Sequence, residues 1–329
     1  MNIKFIEVFS GCGGLSTGII NAGLEPVLLV DNNKDCVETL KLNHGENLVR
    51  LADVTKLHLN EHKDKVHVLL GGVPCQAFSQ AGKRKGLDDV RGSLFVDFAR
   101  LIKECKPLMF VVENVHGLLT INKGETFQQI LNMLNVDGDY EIKYQLLNAT
   151  DFEVPQKRKR VIIVGTYKGL HEFEFPQPIT QKVVLRDVLS DCPPSEGVQY
   201  SEHKRKVMEL VPQGGCWVDL PPSIQKEYMG KSLESGGGKR GIARRLSMNE
   251  PCLTLTTSPC QKQTERCHPL ETRPFNVREY ARIQTFPDNY AFHGSMASKY
   301  RQIGNAVPVK LAYHLGIAIK KFFDVVDLE

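Results

Sequence analysis

Short apolar runs alternate with segments of helical spacing along the first half of the chain, and the alternation stops near residue 175. Residues 3–9 are an apolar run ending at Ser10-Gly11-Cys12-Gly13-Gly14, and residues 15–22 then carry apolar side chains at helical spacing up to Gly23. The same punctuation predicts strands at 26–30, 47–51 and 66–70 and a helix at 33–42. It continues with an amphipathic helix at 94–105 and strands at 108–112, 140–147 and 161–165. This βαβα rhythm predicts an α/β fold, a doubly wound, mostly parallel sheet covered by helices on both faces. Ligands of such sheets sit beyond the carboxyl ends of the strands, so the loops there are where chemistry is expected.

Beyond Phe175-Pro176-Gln177-Pro178 the chain becomes richer in Pro, Gly and basic residues, punctuated by Pro193-Pro194, Pro221-Pro222 and Gly236-Gly237-Gly238. A second, smaller, irregular domain is expected here. Helical spacing returns at 276–284 and 309–323, and the last helix is apolar enough to pack back on the first domain. The large domain is therefore expected to comprise residues 1–178 and 300–329, with residues 179–275 inserted and 276–299 as hinge and connecting helix.

A length of 329 residues fits two domains at about 100–200 residues each. The net charge of +4, from 42 Lys+Arg against 38 Asp+Glu, permits nucleic-acid binding without requiring it. Nine cysteines, an odd and scattered set with no signal peptide before them, predict reduced thiols and a cytoplasmic protein. No apolar run approaches the roughly 20 residues that cross a bilayer, so no membrane partner is expected. Cys260, Cys267 and His268 have the spacing of no standard zinc finger, and no metal site is expected.

Four loops carry candidate chemistry. The glycine turn at residues 9–14 lets backbone approach a ligand closely, and Asp31, at the end of the second strand, suits a ribose diol. Ser16 stands where a dinucleotide motif needs its third glycine, so an adenosine ligand without pyrophosphate fits better than nicotinamide. The plainer alternative is an ordinary βα turn. Cys75 follows a strand on the loop Gly71-Gly72-Val73-Pro74-Cys75, where an exposed thiolate could act; the alternative is a buried structural thiol. Glu113 ends the strand at 108–112, where a carboxylate needs partners or a raised pKa, as a general acid does; a capping or salt-bridged Glu is the alternative. In Gln156-Lys157-Arg158-Lys159-Arg160, extended backbone points Arg158 and Arg160 to one face, able to hold a carboxylate, phosphate or base carbonyl; a solvated charge run is the alternative.

Together these segments resemble the 5-methylcytosine DNA methyltransferases of bacterial restriction–modification systems, and the resemblance covers nearly the whole chain except the middle of the second domain. Residues 9–14 resemble that family's cofactor loop, Gly72-Val73-Pro74-Cys75-Gln76 its nucleophile motif, Glu113-Asn114-Val115 its acid motif and residues 156–160 its QxRxR motif. Residues 278–287 and Gln302-Ile303-Gly304-Asn305-Ala306-Val307-Pro308 resemble its last two motifs. The resemblance implies a class I S-adenosylmethionine-dependent methyltransferase fold with an inserted DNA-recognition domain. It implies S-adenosyl-L-methionine as cofactor, held by Phe9, Gly11, Cys12, Gly13, Gly14, Asp31, Asn32, Asp53, Val54, Pro74, Leu94, Asn305 and Ala306. It also implies a catalytic set of Cys75 as nucleophile, Glu113 as acid, Arg160 orienting the cytosine and Arg158 bracing Glu113 or a phosphate.

The implied partner is double-stranded DNA in the bacterial nucleoid, bound by a monomer, with a companion restriction endonuclease acting on the same site without contact. A stacked cytosine is out of reach of a loop cysteine, so the base is expected to flip out. Gln76, Ser79, Lys83, Arg84 and Arg91 are expected to meet DNA from a basic lid. Lys239, Arg240, Arg244, Thr256, Thr257, Gln261, Gln263 and Arg266 are expected to meet it from the second domain. A transfer-RNA cytosine methyltransferase and a catalytically inert DNA-binding regulator are the rival readings.

Overall fold

The computed structural model describes residues 2–74, 94–233 and 240–326. Its centre is a seven-stranded sheet of β1 (Lys4–Val8), β2 (Glu25–Asp31), β3 (Val49–Leu51), β4 (Val68–Gly71), β5 (Met109–Val115), β6 (Tyr140–Asn148) and β8 (Lys159–Tyr167), in the order β3-β2-β1-β4-β5-β8-β6. Every neighbouring pair from β3 to β5 is parallel, and β8 runs antiparallel to both β5 and β6. The sheet is doubly wound and mostly parallel, as the βαβα rhythm predicts. Strand order reverses between β1 and β4, which opens a crevice at their carboxyl ends.

Alternate residues of each strand feed opposite faces. Phe5, Leu70, Val111 and Ile162 join one core, whereas Ile6, Leu69, Phe110 and Ile163 join the other. The first core is closed by α1 (Gly14–Asn21) and the last helix, α10 (Val309–Phe323). A Cβ on Gly18 would collide with Val309 O, so the two helices touch backbone to backbone. The second core is covered by α3 (Leu94–Cys105) and α4 (Glu125–Leu134). The helix α2 (Lys34–His44) follows β2 and is capped by Asn33, whose side chain accepts from Cys36 N.

Between the sheet and the final helices the described residues form only short elements. They include α5 (Leu185–Leu189), α6 (Glu202–Glu209), α7 (Pro222–Met229) and β9 (Cys252–Leu253), which pairs with the two-residue β7 (Gln156–Lys157). A small core of Val207, Met208, Val211, Leu220, Met229, Ile242 and Ala243 holds the centre of this region. Arg245 is buried there and ties irregular chain together, donating to Val211 O (2.7 Å), Met208 O (2.6 Å), His268 O (3.3 Å) and Glu271 O (3.2 Å). A third core mixes Leu185, Leu246 and Leu255 with residues of α8 (Val277–Ile283) and α9 (Met296–Asn305), such as Tyr280, Ile283 and Ile303. Among the described residues no helix is long and apolar enough to cross a membrane.

The structure departs from the sequence-based elements in three places. β5 runs on through Glu113 and Asn114 to Val115, so the acidic residue lies on the strand, opposite Ile162 of β8, not after it. Helix α4 lies between the strands expected at 108–112 and 140–147, its apolar stripe Phe127-Ile130-Leu134 interrupted by the polar Gln128, Gln129 and Asn132. The segment 296–305 is helical, with Ser295 capping it through Ser298 N.

Candidate active site

The turn after β1 is built for close approach. Gly13 has φ 84°, and a Cβ on Gly14 would collide with Val307 O, so α1 begins hard against the final turn of the chain. Phe9 sits at φ 57°, an uncommon value for a non-glycine residue. The loop is held down at two points. Ser10 N donates to Val30 O (3.0 Å), and Gly11 N donates to Asp31 Oδ2 (2.8 Å). Asp31 Oδ1 takes Asn33 N at 2.8 Å, so its carboxylate organises the ends of β1 and β2 together. Burial raises the Asp31 pKa, and the amides of Asn33 and Gly11 draw it back down.

These segments line one cavity of about 790 Å3 at the carboxyl ends of β1, β2, β4 and β5. Phe9, Gly11, Cys12, Gly14, Asp31, Asn32, Pro74, Leu94, Asn305 and Ala306 of the expected cofactor set line it, and Glu113, Arg158, Arg160, Thr256 and Thr257 line it too. Gly13 does not; it faces Tyr290 and Leu40. Asp53 and Val54 are not among its lining residues; Asp53 caps the next turn through Thr55 N (3.0 Å), and Val54 is buried in the core under α3. Cys75, Gln76, Ser79, Lys83, Arg84, Arg91 and Lys239 lie outside the described residues.

Arg160 Nε lies 2.7 Å from Glu113 Oε1, and both side chains are mostly buried. The other carboxylate oxygen turns toward Gly72. A Cβ there would lie 3.8 Å from Glu113 Oε2 and 3.6 Å from Phe9 O, so Gly72 lies beside both the Glu113 carboxylate and the turn after β1. Asn114 Nδ2 donates to Val73 O (2.8 Å) and pins the start of the loop that leads to Cys75. The bracing of Glu113 expected of Arg158 is made by Arg160 instead. Arg160 braces Glu113, whereas Arg158, buried, donates to Leu255 O (3.4 Å) and Asn305 O (3.2 Å) and ties two cavity walls together. Burial holds the Arg158 guanidinium below its ordinary pKa, and Arg160 adds repulsion.

The second region behaves differently from expectation at Arg266. Its Nε and Nη2 both donate to Thr254 O (3.2 and 2.8 Å) and Nη1 to Glu265 O, so a buried arginine organises the loop and is not offered to a base edge. Arg240, Gln261 and Gln263 are exposed, and Arg244 is half-buried.

One residue absent from the expected set stands out. Glu7, the acidic position of β1, is 1% exposed, lines the cavity, and has an Oε2 without a hydrogen-bond partner. Burial pushes its carboxyl up to about 8, and Asp31 and Glu113 add repulsion. Three carboxyl groups thus share a cavity with a buried, unpartnered oxygen, a donor set suited to a cationic adenosyl ligand such as S-adenosylmethionine. Arg301 and Ser298 also line it, and no pattern in the sequence singled them out.

Residues 3–321 match the C-5 cytosine-specific DNA methylase family. The chain belongs to that family. It is an S-adenosylmethionine-dependent DNA cytosine-5 methyltransferase with a class I methyltransferase fold. It is 49% identical to the type II methyltransferase M.Sau96I of Staphylococcus aureus over 97% of this chain and 76% of that protein. It is 47% identical to M.Eco47II of Escherichia coli over 98% of this chain and 80% of that one. A solved E. coli prophage-encoded DNA modification methyltransferase is similar in structure, with TM-score 0.72 and 25% identity over 98% of this chain and 100% of its own. The Dnmt2 methyltransferase of S. pombe shares the fold at TM-score 0.67 and 17% identity, over 98% of this chain and 99% of its own.

Proposed function

We propose that the methyltransferase works through a transient bond between Cys75 Sγ and carbon 6 of a cytosine swung out of duplex DNA, with residues 1–178 and 300–329 carrying the chemistry and 179–275 reading sequence. The observation that carries this reading is the shared cavity, which the Glu113–Arg160 pair, the glycine turn and Thr256-Thr257 all line. Carbon 5 of cytosine is a poor nucleophile. Addition of the Cys75 thiolate at carbon 6 forms the C–S bond and moves electron density onto the ring, making carbon 5 enamine-like. Glu113 serves ring nitrogen 3 as hydrogen-bond partner and proton donor, and Arg160 holds that carboxyl in place. When bound, S-adenosylmethionine supplies an electrophilic methyl group on a cationic sulfur. Carbon 5 takes the methyl as the methyl–sulfur bond breaks and leaves a neutral thioether, and Glu113 takes back the proton from nitrogen 3; a base then removes the carbon-5 proton, and the electron pair of that C–H bond re-forms the C5–C6 double bond as Cys75 leaves as thiolate.

Asp31, Glu7 and the amides of the glycine turn support the adenosyl and methionine parts on this reading, with Asn305 and Ala306 closing the far wall. Arg240, Gln261 and Gln263 are surface groups of the kind that contact phosphates and base edges. We further infer a monomer on nucleoid DNA and a companion endonuclease cutting the same unmethylated site. Bisulfite sequencing of plasmid DNA from cells expressing the chain tests the reading. Methylation confined to cytosines of one short motif is expected, and none with Cys75→Ser. Methylation that survives Cys75→Ser removes the nucleophile.

A further inference from the structure

Two fully buried glutamines, Gln156 on β7 and Gln284 at the end of α8, have no task in the chemistry above. They form a directed relay. Leu255 N donates to Gln156 Oε1 (3.0 Å), and Gln156 Nε2 donates to Gln284 Oε1 (2.9 Å). Gln284 Nε2 then donates to Ile303 O (2.6 Å) and Ala306 O (3.2 Å). The direction is forced, because a backbone N–H at one end only donates and the carbonyls at the other only accept. The relay thus links the segment leading into Thr256-Thr257 to the turn carrying Asn305-Ala306, two neighbouring stretches of the cavity lining.

Two further contacts brace the same two segments. Arg158 bonds both Leu255 O and Asn305 O. A Cβ on Gly304 would collide with Thr256 O, so the two backbones run in contact there. Gln284 itself is anchored by strain at the next residue. Thr285 is β-branched yet sits at φ 61°, with Oγ1 donating to Gln284 O (2.7 Å) and accepting from Lys310 N (2.9 Å). An arrangement this over-determined admits little relative movement of the two walls.

We propose that Gln156 and Gln284 are positioning residues whose relay holds the DNA-facing segment 254–257 in register with the cofactor-facing turn 303–306, coupling occupancy of one wall to the other. The inference rests on the assignment of those walls to DNA and cofactor made above. Gln284→Glu is the discriminating change, since its carboxylate still accepts from Gln156 but has no N–H for Ile303 O and Ala306 O. Gln156→Glu breaks the middle link in the same way.

The test uses the full chain, S-adenosylhomocysteine as cofactor probe, and a short duplex holding a site that the wild type methylates. In the wild type, S-adenosylhomocysteine should tighten duplex binding at least about fivefold. In Gln284→Glu that factor should fall below about twofold, and kcat should fall about 10- to 100-fold, the scale of a small misplacement of reacting groups. Calorimetric affinity for S-adenosylhomocysteine alone, and its binding stoichiometry, should stay within about threefold, which loss of folded protein would not allow. If Gln284→Glu loses its cooperative unfolding transition, the Gln156→Leu, Gln284→Leu pair, which removes both amides together, takes its place with the same readouts. An unchanged coupling factor, or a kcat loss matched by lost binding stoichiometry, overturns the proposal. Absent methylation by the wild type overturns the functional reading instead.

Discussion

Glu7 offers a perturbation whose sign and window follow from its surroundings. Its carboxyl ordinarily titrates near 4.5 and is pushed up to about 8 in the fold, first by burial and then by Asp31 and Glu113. Between those values the folded protein holds a proton that the unfolded chain has released. Stability from this group is therefore fully present below pH 4.5 and is lost as pH rises toward 8, at up to about 1.4 kcal/mol per pH unit. Glu7→Gln keeps the neutral shape and removes the titration. Urea unfolding of both proteins without cofactor at pH 5.5, 6.5 and 7.5 should show the wild type losing ground steadily to Glu7→Gln, by up to a few kcal/mol over the range. A cationic donor reverses the preference, because it favours the ionised carboxylate. S-adenosylmethionine binding should then release protons near pH 7 in the wild type and fewer in Glu7→Gln, read by calorimetry in buffers of different ionisation enthalpy. Parallel stability curves for the two proteins would refute the reasoning.

Other predictions follow from single contacts. Gly14→Ala drives a methyl into Val307 O, a backbone atom, and should cost about 1–3 kcal/mol in urea unfolding and weaken S-adenosylhomocysteine binding. Glu113→Gln should lower kcat about 10²- to 10⁴-fold while leaving S-adenosylhomocysteine affinity near the wild-type value, because the acid acts on the pyrimidine. Arg240→Ala should reduce the slope of log Kd for duplex against log salt by about 1, as one phosphate contact does. Arg266→Ala should leave that slope unchanged and lower the melting temperature, since its guanidinium is spent on Thr254 O and Glu265 O.

The sheet and the glycine turn at its cavity were legible because fully buried parallel strands read as unbroken apolar runs. Val68–Gly71 and the Met109–Val112 part of β5 are buried at every position, and the glycine turn interrupts the pattern where a ligand must approach. Glu113 was legible as a site residue for the opposite reason, being a charge that continues an apolar strand. Its partner was not. Which of two arginines on one face reaches Glu113 depends on β5–β8 register, which pairs Val115 with Arg160, and no local pattern encodes that. Arg266 misled because composition counts a guanidinium without showing whether backbone carbonyls already satisfy it. The glutamine relay was hidden for a related reason, since Gln156 and Gln284 meet across 128 residues of chain and look like ordinary polar positions when read singly.

The decisive measurement is covalent capture of a pyrimidine. The purified chain is incubated with S-adenosylmethionine and a duplex carrying 5-fluorocytosine at its own methylation site, and the product is digested and mapped by mass spectrometry. Fluorine blocks the loss that would release the enzyme, so an adduct resistant to denaturant, with the methylated nucleotide on the peptide containing Cys75, is the expected result. A wild-type enzyme that methylates the ordinary duplex yet gives no adduct, or an adduct on any other residue, would contradict the mechanism.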